Sequence, residues 1–452
     1  MHLSWSLFIS FLLFSCLIYS QENKQIQFKL LGQDDEMSFL SEKESKSVYE
    51  KLKWINLKNN NSLSFGGSYR FQAESFINEN FNHQGAQDNI WYLNRILLHA
   101  LFKINQKFDA YIELSSSTAI GKTNVSPVDK DLLAVNQAFA AYYFNSNWSL
   151  LLGRENLGFG SRRLVDVREG PNVRRSFDLA RIDYKNETTK LTTFFAIPVK
   201  NKEGAFDNDY VKSSETFSGV YLSKNFHKYI NFDIYGFYQK DDDVTYAIGT
   251  ADEQRYTFGG RYFGSYKNVT FNNEAAYQLG LFGNNKINAY TLSLNAEYAT
   301  KFIGNKTTIG LKTELISGDK NRNDNRLNTF DALYPRGAYF GRVARFGPSN
   351  LIDIHPYINT IYSKYYVEID YDVFWRYSKN DGVYDAALFL QYPSTNTSAF
   401  IGHQIGTVTG FNFTNHLNIE LETNIIIPGN FLKQNGATAS LFHSVLTAEY
   451  KF

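Results

Sequence analysis

Arginine is the residue whose placement in this sequence asks for a chemical reason. Of 17 arginines, seven fall between Arg154 and Arg181 and five between Arg322 and Arg345, in windows that together hold 52 of the 452 residues and contain no lysine. A solvated basic surface mixes the two residue types. Their separation points to a task specific to guanidinium, which stays charged at any physiological pH and meets carboxylate with a planar, two-pronged donor set. The first window sets Arg154, Arg162, Arg163, Arg168, Arg174 and Arg175 among glycines and apolar residues, the composition of a folded loop that can turn inward. Its seven bases face four acids, Glu155, Asp166, Glu169 and Asp178. Two roles follow: guanidiniums lining a narrow passage, or a structural network in which the acids neutralise them.

Other chemistry is sparse. The eight histidines are scattered, with no pair spaced for a metal on a helix or strand, so neither a metal site nor a cofactor is expected. Catalysis by a serine, a histidine and an orienting polar group needs a convergence that strands do not reveal in sequence, and no catalytic residue is expected. The lone cysteine, Cys16, lies in an N-terminal apolar segment, which removes disulfides and cysteine-ligated metals from the chain that follows. Asp241-Asp242-Asp243, read as an external loop, has the clustered oxygens that Ca²⁺ takes, although such a run is commonly just solvated. A formal charge of +1 gives no argument for nucleic acid as a partner.

The elements that must position these arginines follow from hydropathy and period. Leu7 to Tyr19 reads as the apolar part of a signal peptide spanning residues 1–20, cleaved after Ser20. No later stretch approaches the roughly 20 apolar residues of a spanning helix, so the chain spans as strands or not at all. From Ser62 onward, side chains alternate with period two. Leu63, Phe65, Tyr69, Phe71 and Ala73 share one parity, and Ser64, Ser68, Arg70, Gln72 and Glu74 the other. Val367, Ile369, Tyr371, Val373 and Trp375 likewise oppose Glu368, Asp370, Asp372 and Arg376.

A soluble sandwich with one wet face shares this alternation. Strand number and connection length argue against it. Eighteen segments begin near 62, 90, 107, 133, 147, 178, 189, 215, 230, 254, 268, 287, 306, 355, 364, 400, 416 and 440. Tight turns such as Asn105-Gln106, Phe144-Asn145-Ser146 and Thr414-Asn415-His416 alternate with longer connections, the asymmetry of outer-membrane barrels with short periplasmic turns. Both arginine windows fall on the long, external side. The expectation is an all-β transmembrane antiparallel barrel of about 18 strands over 62–452. Residues 21–61 precede it as a periplasmic lead-in, forty residues being few for a plug of the lumen. Leu446, Ala448, Tyr450 and Phe452 share one face at the end of the chain, and Tyr450 and Phe452 resemble the terminal signal read by the barrel assembly machinery.

Several segments carry a resemblance. The Gly153–Asp178 stretch, Thr329-Phe330-Asp331-Ala332-Leu333-Tyr334-Pro335-Arg336-Gly337-Ala338-Tyr339-Phe340-Gly341 with the Arg342-Val343-Ala344-Arg345 that follows, Tyr377 to Asp385, Gly402-His403-Gln404 and Pro428-Gly429-Asn430-Phe431-Leu432 resemble the alginate export family of outer-membrane porins. The likeness covers most of the chain from about Tyr49 to Phe452. It implies an eighteen-stranded barrel with an arginine-rich conduit for an anionic polysaccharide, lined by Arg70, Arg95, Arg154, Arg162, Arg163, Arg168, Arg174, Arg175, Arg336, Arg342 and Arg345. The lumen parity also carries acids, among them Glu113, Glu314, Glu368, Asp370, Asp372, Glu420 and Glu422, so any anion preference must come from a loop-built constriction.

The expected function is a passive channel in the bacterial outer membrane for anionic saccharides or small acidic solutes. Its surroundings would be outer-membrane lipid and lipopolysaccharide, and it would not be an enzyme. The alternative is a surface receptor or hydrolase barrel with a closed lumen.

Overall fold

The computed structural model of the protein describes residues 26–85, 88–209 and 214–452; the expected leader, with Cys16, lies outside them. The main sheet is a closed ring of eighteen antiparallel strands. They are β1 (Ser62–Ile77), β2 (Asn89–Ile104), β3 (Phe108–Ile120), β4 (Asp131–Tyr143), β5 (Trp148–Glu155) and β6 (Phe177–Lys185). Next come β7 (Thr189–Pro198), β8 (Thr216–His227), β9 (Ile230–Tyr246), β10 (Gly249–Tyr266), β11 (Val269–Phe282) and β12 (Asn285–Phe302). The ring ends with β13 (Asn305–Ile316), β14 (Leu351–Tyr362), β15 (Tyr365–Arg376), β16 (Phe400–Asn412), β17 (Leu417–Pro428) and β18 (Leu441–Lys451). Each pairs with its neighbours in sequence, and β18 closes onto β1 with Tyr69 opposite Tyr450 and Arg70 opposite Glu449. Closure leaves no unpaired edge, which a hydrocarbon surround demands. Phe452 completes the seam through two backbone hydrogen bonds with Gly67, 2.7 and 2.9 Å.

Burial is inverted relative to a soluble protein. Phe65, Ile96, Leu98, Ile369 and Leu421 are exposed on the outer surface, while lumen-facing Arg70, Arg95, Gln137, Asp372 and Asn424 are buried. At the short-turn end Phe144, Trp148, Phe226, Phe302, Tyr362 and Phe413 are exposed. They form the aromatic girdle that membrane barrels place at the interface.

Connections alternate as the sequence indicates, with two departures. The outer links between β9 and β10 and between β11 and β12 are two-residue turns, 247–248 and 283–284. Three of the strands they join, β9, β10 and β12, run to 17 or 18 residues. The wall itself extends here, where elsewhere a loop would stand. Asp241-Asp242-Asp243 therefore lie within β9, at a bulge between Asp241 and Val244, and not on a loop.

The larger correction concerns the segment before the barrel. Residues 26–54 fold into a small knob around Ile26, Met37 and Leu40, with Phe28, Phe39, Tyr49 and Trp54 packed against them. Helix α1 (Val48–Lys53) closes it, started by a reciprocal capping box between Ser47 and Glu50. The knob reaches into the lumen. Gln33 and Gln137 exchange side-chain hydrogen bonds (3.1 and 3.2 Å), and the Leu30 carbonyl accepts from Arg174 at 3.0 Å. Gly32 lies so close to His99 and Tyr111 that a Cβ would fall 2.4 Å from the imidazole. So short a segment suffices because residues 26–54 bring their own apolar cluster and borrow partners from the wall.

Docking buries two charges. Burial pushes the Asp35 carboxyl up to about 6 and the Lys53 ammonium down to about 8. The Lys53 Nζ has no hydrogen-bond partner and lies near the rings of Phe28 and Tyr49. A docked lysine that holds its proton less tightly than a free one makes docking strengthen with pH between about 8 and the free-lysine value near 10.4. Hydrogen exchange over residues 48–54, corrected for intrinsic rate, should show protection rising from pH 7 to pH 10. Lys53→Met should remove that rise; a rise of equal size in the variant would assign it to another group.

Candidate functional site: the arginine network of the lumen

The two arginine windows belong mainly to loops that fold into the barrel. The 156–176 loop, between β5 and β6, buries Leu157, Leu164, Val165, Val167 and Val173. The 317–350 loop, between β13 and β14, lies beside it. Val165 and Tyr334 form a parallel bridge, with Asp166 N donating to Tyr334 O at 2.9 Å and Tyr334 N to Leu164 O at 2.8 Å. The Tyr334 ring packs on Phe177 and Phe217 at 5.0 and 4.8 Å. Apolar residues flanking the arginines thus anchor the loops, and the arginines occupy what remains of the lumen.

Three guanidiniums converge on one carboxylate. Arg174 Nε donates to Glu169 Oε2 at 2.6 Å, Arg95 Nη2 donates to Glu169 Oε1, and Arg70 Nη1 stands 3.5 Å from the same oxygen. Arg70 also donates to the carbonyls of Glu169 and Pro171, each at 2.7 Å. Burial alone would raise the Glu169 carboxyl, but Arg174, Arg95 and Arg70 hold it well below the usual carboxylate range. The cluster carries three positive charges against one negative. Arg70 Nε and both Nε and Nη1 of Arg95 are buried without hydrogen-bond partners, while the Glu169 side chain keeps 31% of its surface open.

The other expected residues divide into bridged and unbridged. Arg154 makes a two-pronged pair with Asp178 at 2.7 and 2.8 Å. Arg163 meets Glu314 at 3.0 Å and donates to the Tyr339 hydroxyl at 2.7 Å. Arg342 bridges Glu420 and Glu422 at 3.1 and 3.4 Å, and Arg345 approaches Glu79 at 3.9 Å. Arg162 is exposed and 3.8 Å from Asp166. Arg336 lies over the Tyr339 ring at 5.4 Å.

Arg168 and Arg175 have no carboxylate within ion-pair distance among the described residues. Arg168 donates to the Val173 carbonyl (3.1 Å) and Asn201 (3.3 Å), and Arg175 stacks over Tyr334 at 5.1 Å. Both line an outer cavity of about 740 Å³, together with Lys200, Tyr334 and the acids Glu215, Asp241, Asp242, Asp243 and Asp331. Burial, with the Arg175 charge beside it, pushes Arg168 down to about 9, which leaves it charged at neutral pH; burial pushes Asp331 up to about 6.

Sequence reasoning passed over two buried arginines. Arg255 is fully buried on β10 against Glu253 at 2.5 Å and Gln278 at 2.7 Å. Arg376 gathers the carbonyls of Lys379, Asp381, Asn396 and Ser398. The Glu253-x-Arg255 spacing on one strand face was the available signal for the first. Nothing local marked the second, whose partners lie in the 377–399 loop.

A closed eighteen-stranded wall with lumen-facing loops defines an outer-membrane porin-type barrel. Residues 61–445 match the Alginate export family, and the chain belongs to that family. Among solved structures, a BenF-like porin from Pseudomonas fluorescens Pf-5 is similar at a TM-score of 0.57 and 10% identity, over 86% of this chain and 98% of that one. OccK1 (OpdK) from Pseudomonas aeruginosa is similar at 0.56 and 10%, over 86% and 98%. A structure of Pseudomonas aeruginosa OpdK with vanillate is similar at 0.55 and 10%, over the same shares. At this identity the likeness is one of fold. No curated protein matches the chain. The protein is placed in the bacterial outer membrane, in a group of channel-forming barrels.

Glu169→Gln would leave three guanidiniums without their counter-charge. Removing one partner of a buried pair costs on the order of 3 kcal/mol. The folded, fast-migrating form on unboiled SDS gels should therefore be lost several degrees lower in the variant. An unchanged transition would mean that the loop is held by its apolar contacts alone.

Proposed function

We propose that the protein is a passive channel for anionic solutes, acidic saccharides or small carboxylates, whose preference is set by the guanidiniums of the lumen. The observation that carries this reading is the excess of positive charge at the Glu169 cluster, together with two cavity-lining arginines, Arg168 and Arg175, that no acid bridges. At an effective dielectric of about 20, a unit charge at 4 Å contributes roughly 4 kcal/mol before screening, so a few such groups dominate a narrow passage. Several lumen acids are already engaged. Glu314 is held by Arg163 and Lys312, Glu420 and Glu422 by Arg342, and Glu113 accepts from Asn136 and Tyr111. A carboxylate solute would exploit the planar donor set that lysine lacks, and the related fold of OpdK has been seen with vanillate, itself a carboxylate.

On this reading the chain comprises a leader over 1–20, a lead-in segment over 21–61 of which residues 26–54 dock at the periplasmic mouth, and the barrel over 62–452. Lipid and lipopolysaccharide surround it, and Tyr450 and Phe452 serve as the assembly signal. No catalytic role enters it.

In planar bilayers the wild-type channel should favour chloride over potassium, by a margin that shrinks as salt rises. Arg168→Glu with Arg175→Glu should lower or invert the zero-current potential across a salt gradient, and the two Lys substitutions should keep its sign. These positions are chosen because neither is tied into a carboxylate bridge, so reversal leaves the Glu169 cluster standing. A cation-selective wild type, or a potential indifferent to the double reversal, refutes the reading. A folded barrel with no conductance would favour the closed-lumen alternative.

A further inference from the structure

On the lumen face of β14 and β15, away from the Glu169 cluster, Asp353, His355 and Asp372 stand together. Asp353 and His355 are two residues apart and so share a strand face. Asp372 comes from the antiparallel neighbour, on which Phe374 pairs with Asp353. One ligand-type atom from each residue lies within 4.8 Å of the others. Asp353 and Asp372 are fully buried.

The polar contacts at this spot are incomplete. Neither oxygen of Asp353 and neither oxygen of Asp372 has a hydrogen-bond partner, although all four atoms are shut from solvent. His355 Nδ1 faces Asp372 Oδ1 at 2.6 Å without the alignment of a hydrogen bond, and so also lacks a hydrogen-bond partner. The nearby cations are committed elsewhere: Arg163 and Lys312 bridge Glu314 at 3.0 and 3.4 Å. Among the described residues no lysine or arginine ion pair reaches Asp353, Asp370 or Asp372. Buried charge without counter-charge is expensive, and it calls for a cation or a bound proton.

We propose that Asp353, His355 and Asp372 form a site for a divalent transition-metal ion, bound through one imidazole nitrogen and carboxylate oxygens on adjacent strands of the barrel wall. Bonds of roughly 2.1 Å to nitrogen and oxygen bring three ligands to about this spacing with small side-chain rotations. The mixed nitrogen and oxygen set suits Zn²⁺ better than Ca²⁺ or Mg²⁺, which favour oxygen alone. With Nδ1 on the metal, the His355 Nε2 side faces Asp370 Oδ1 at 3.8 Å, the carboxylate–histidine arrangement that orients a metal-bound imidazole. Ligands carried on paired strands are held more firmly than ligands on a loop. The ion would neutralise the acids of this wall and pin β14 to β15 without contact with the conducting arginines.

The experiment uses the full chain without an affinity tag, folded in detergent, stripped with a chelator and titrated with Zn²⁺ by calorimetry, with bound metal counted by elemental analysis. The expected result is one Zn²⁺ per chain, bound at least tenfold more weakly by Asp353→Asn and by His355→Ala. Co²⁺ should give a visible absorption band in the wild type that Zn²⁺ abolishes and an equal concentration of Ca²⁺ does not. Folding of each variant is checked by its heat-dependent mobility on SDS gels. A wild type that takes up less than half an equivalent of Zn²⁺ overturns the proposal whatever the variants do, and points to a shared proton between the two aspartates. Folded variants that bind as tightly as wild type, or Ca²⁺ that displaces Co²⁺ at equal concentration, overturn it as well.

Discussion

The Glu169 carboxylate is the point on which the inside of this barrel turns. Arg70 comes to it from β1, Arg95 from β2 and Arg174 from its own loop. Arg174 carries the connection further, to the carbonyl of Leu30 in the N-terminal knob. One acid therefore fixes a loop entering from the outer side, two wall strands and a segment entering from the opposite mouth. The arrangement suits a chain that cannot use the hydrophobic effect across its outer surface. Outward side chains are already matched to lipid, so what specifies the interior must be polar pairing and the apolar contacts that the loops make among themselves.

Those apolar contacts explain how so many charges stay ordered. The 156–176 loop holds Leu164 and Val165 against Tyr334 of the 317–350 loop, and Tyr334 in turn sits on Phe177 and Phe217 of the wall. Arg162 and Arg168 adopt left-handed backbone conformations, φ 62° and 61°, which non-glycine residues reach only where the surrounding packing compensates. The turns at these residues redirect the chain between its apolar anchors. A loop without those anchors would leave its guanidiniums in solvent, where they would contribute little.

The wall was legible in the sequence because period two survives in a barrel without interference: every strand has one lipid face and one lumen face. Strand starts read from alternation fall close to the observed ones. They drift at the outer ends of β10 and β14, where period two is lost: Gly249 to Gln254 is polar on both parities apart from Ala251, and Leu351 and Ile352 are apolar on opposite faces. The two-residue turns after β9 and β11 were missed because long strands and loops carry similar polar composition at that height. The lumen contents were harder. That arginines cluster is a sequence fact, but which of them are bridged depends on partners far along the chain, such as Arg163 with Glu314. The N-terminal knob was misjudged on length, since its partners, His99, Tyr111 and Gln137, are ordinary lumen-parity residues with no mark of a docking role. His355 was likewise passed over because its companions are acids on its own and the next strand, not a second histidine.

The division between bridged and unbridged arginines bears on why lysine is absent from both windows. A bridged arginine such as Arg154 uses two parallel hydrogen bonds to one carboxylate, a geometry that an ammonium cannot reproduce. An unbridged one such as Arg175 is spread over an aromatic ring and half-buried, where an ammonium would shed its proton more readily than guanidinium does. Arg168 remains charged at neutral pH although burial lowers it to about 9. A lysine starts about two units below arginine, so burial would take its charge more readily. Structural pairing and retained charge therefore select the same residue type at neighbouring positions. The paired arginines build a frame that desolvates the unpaired ones, and desolvation is what gives a few fixed charges their reach across a lumen.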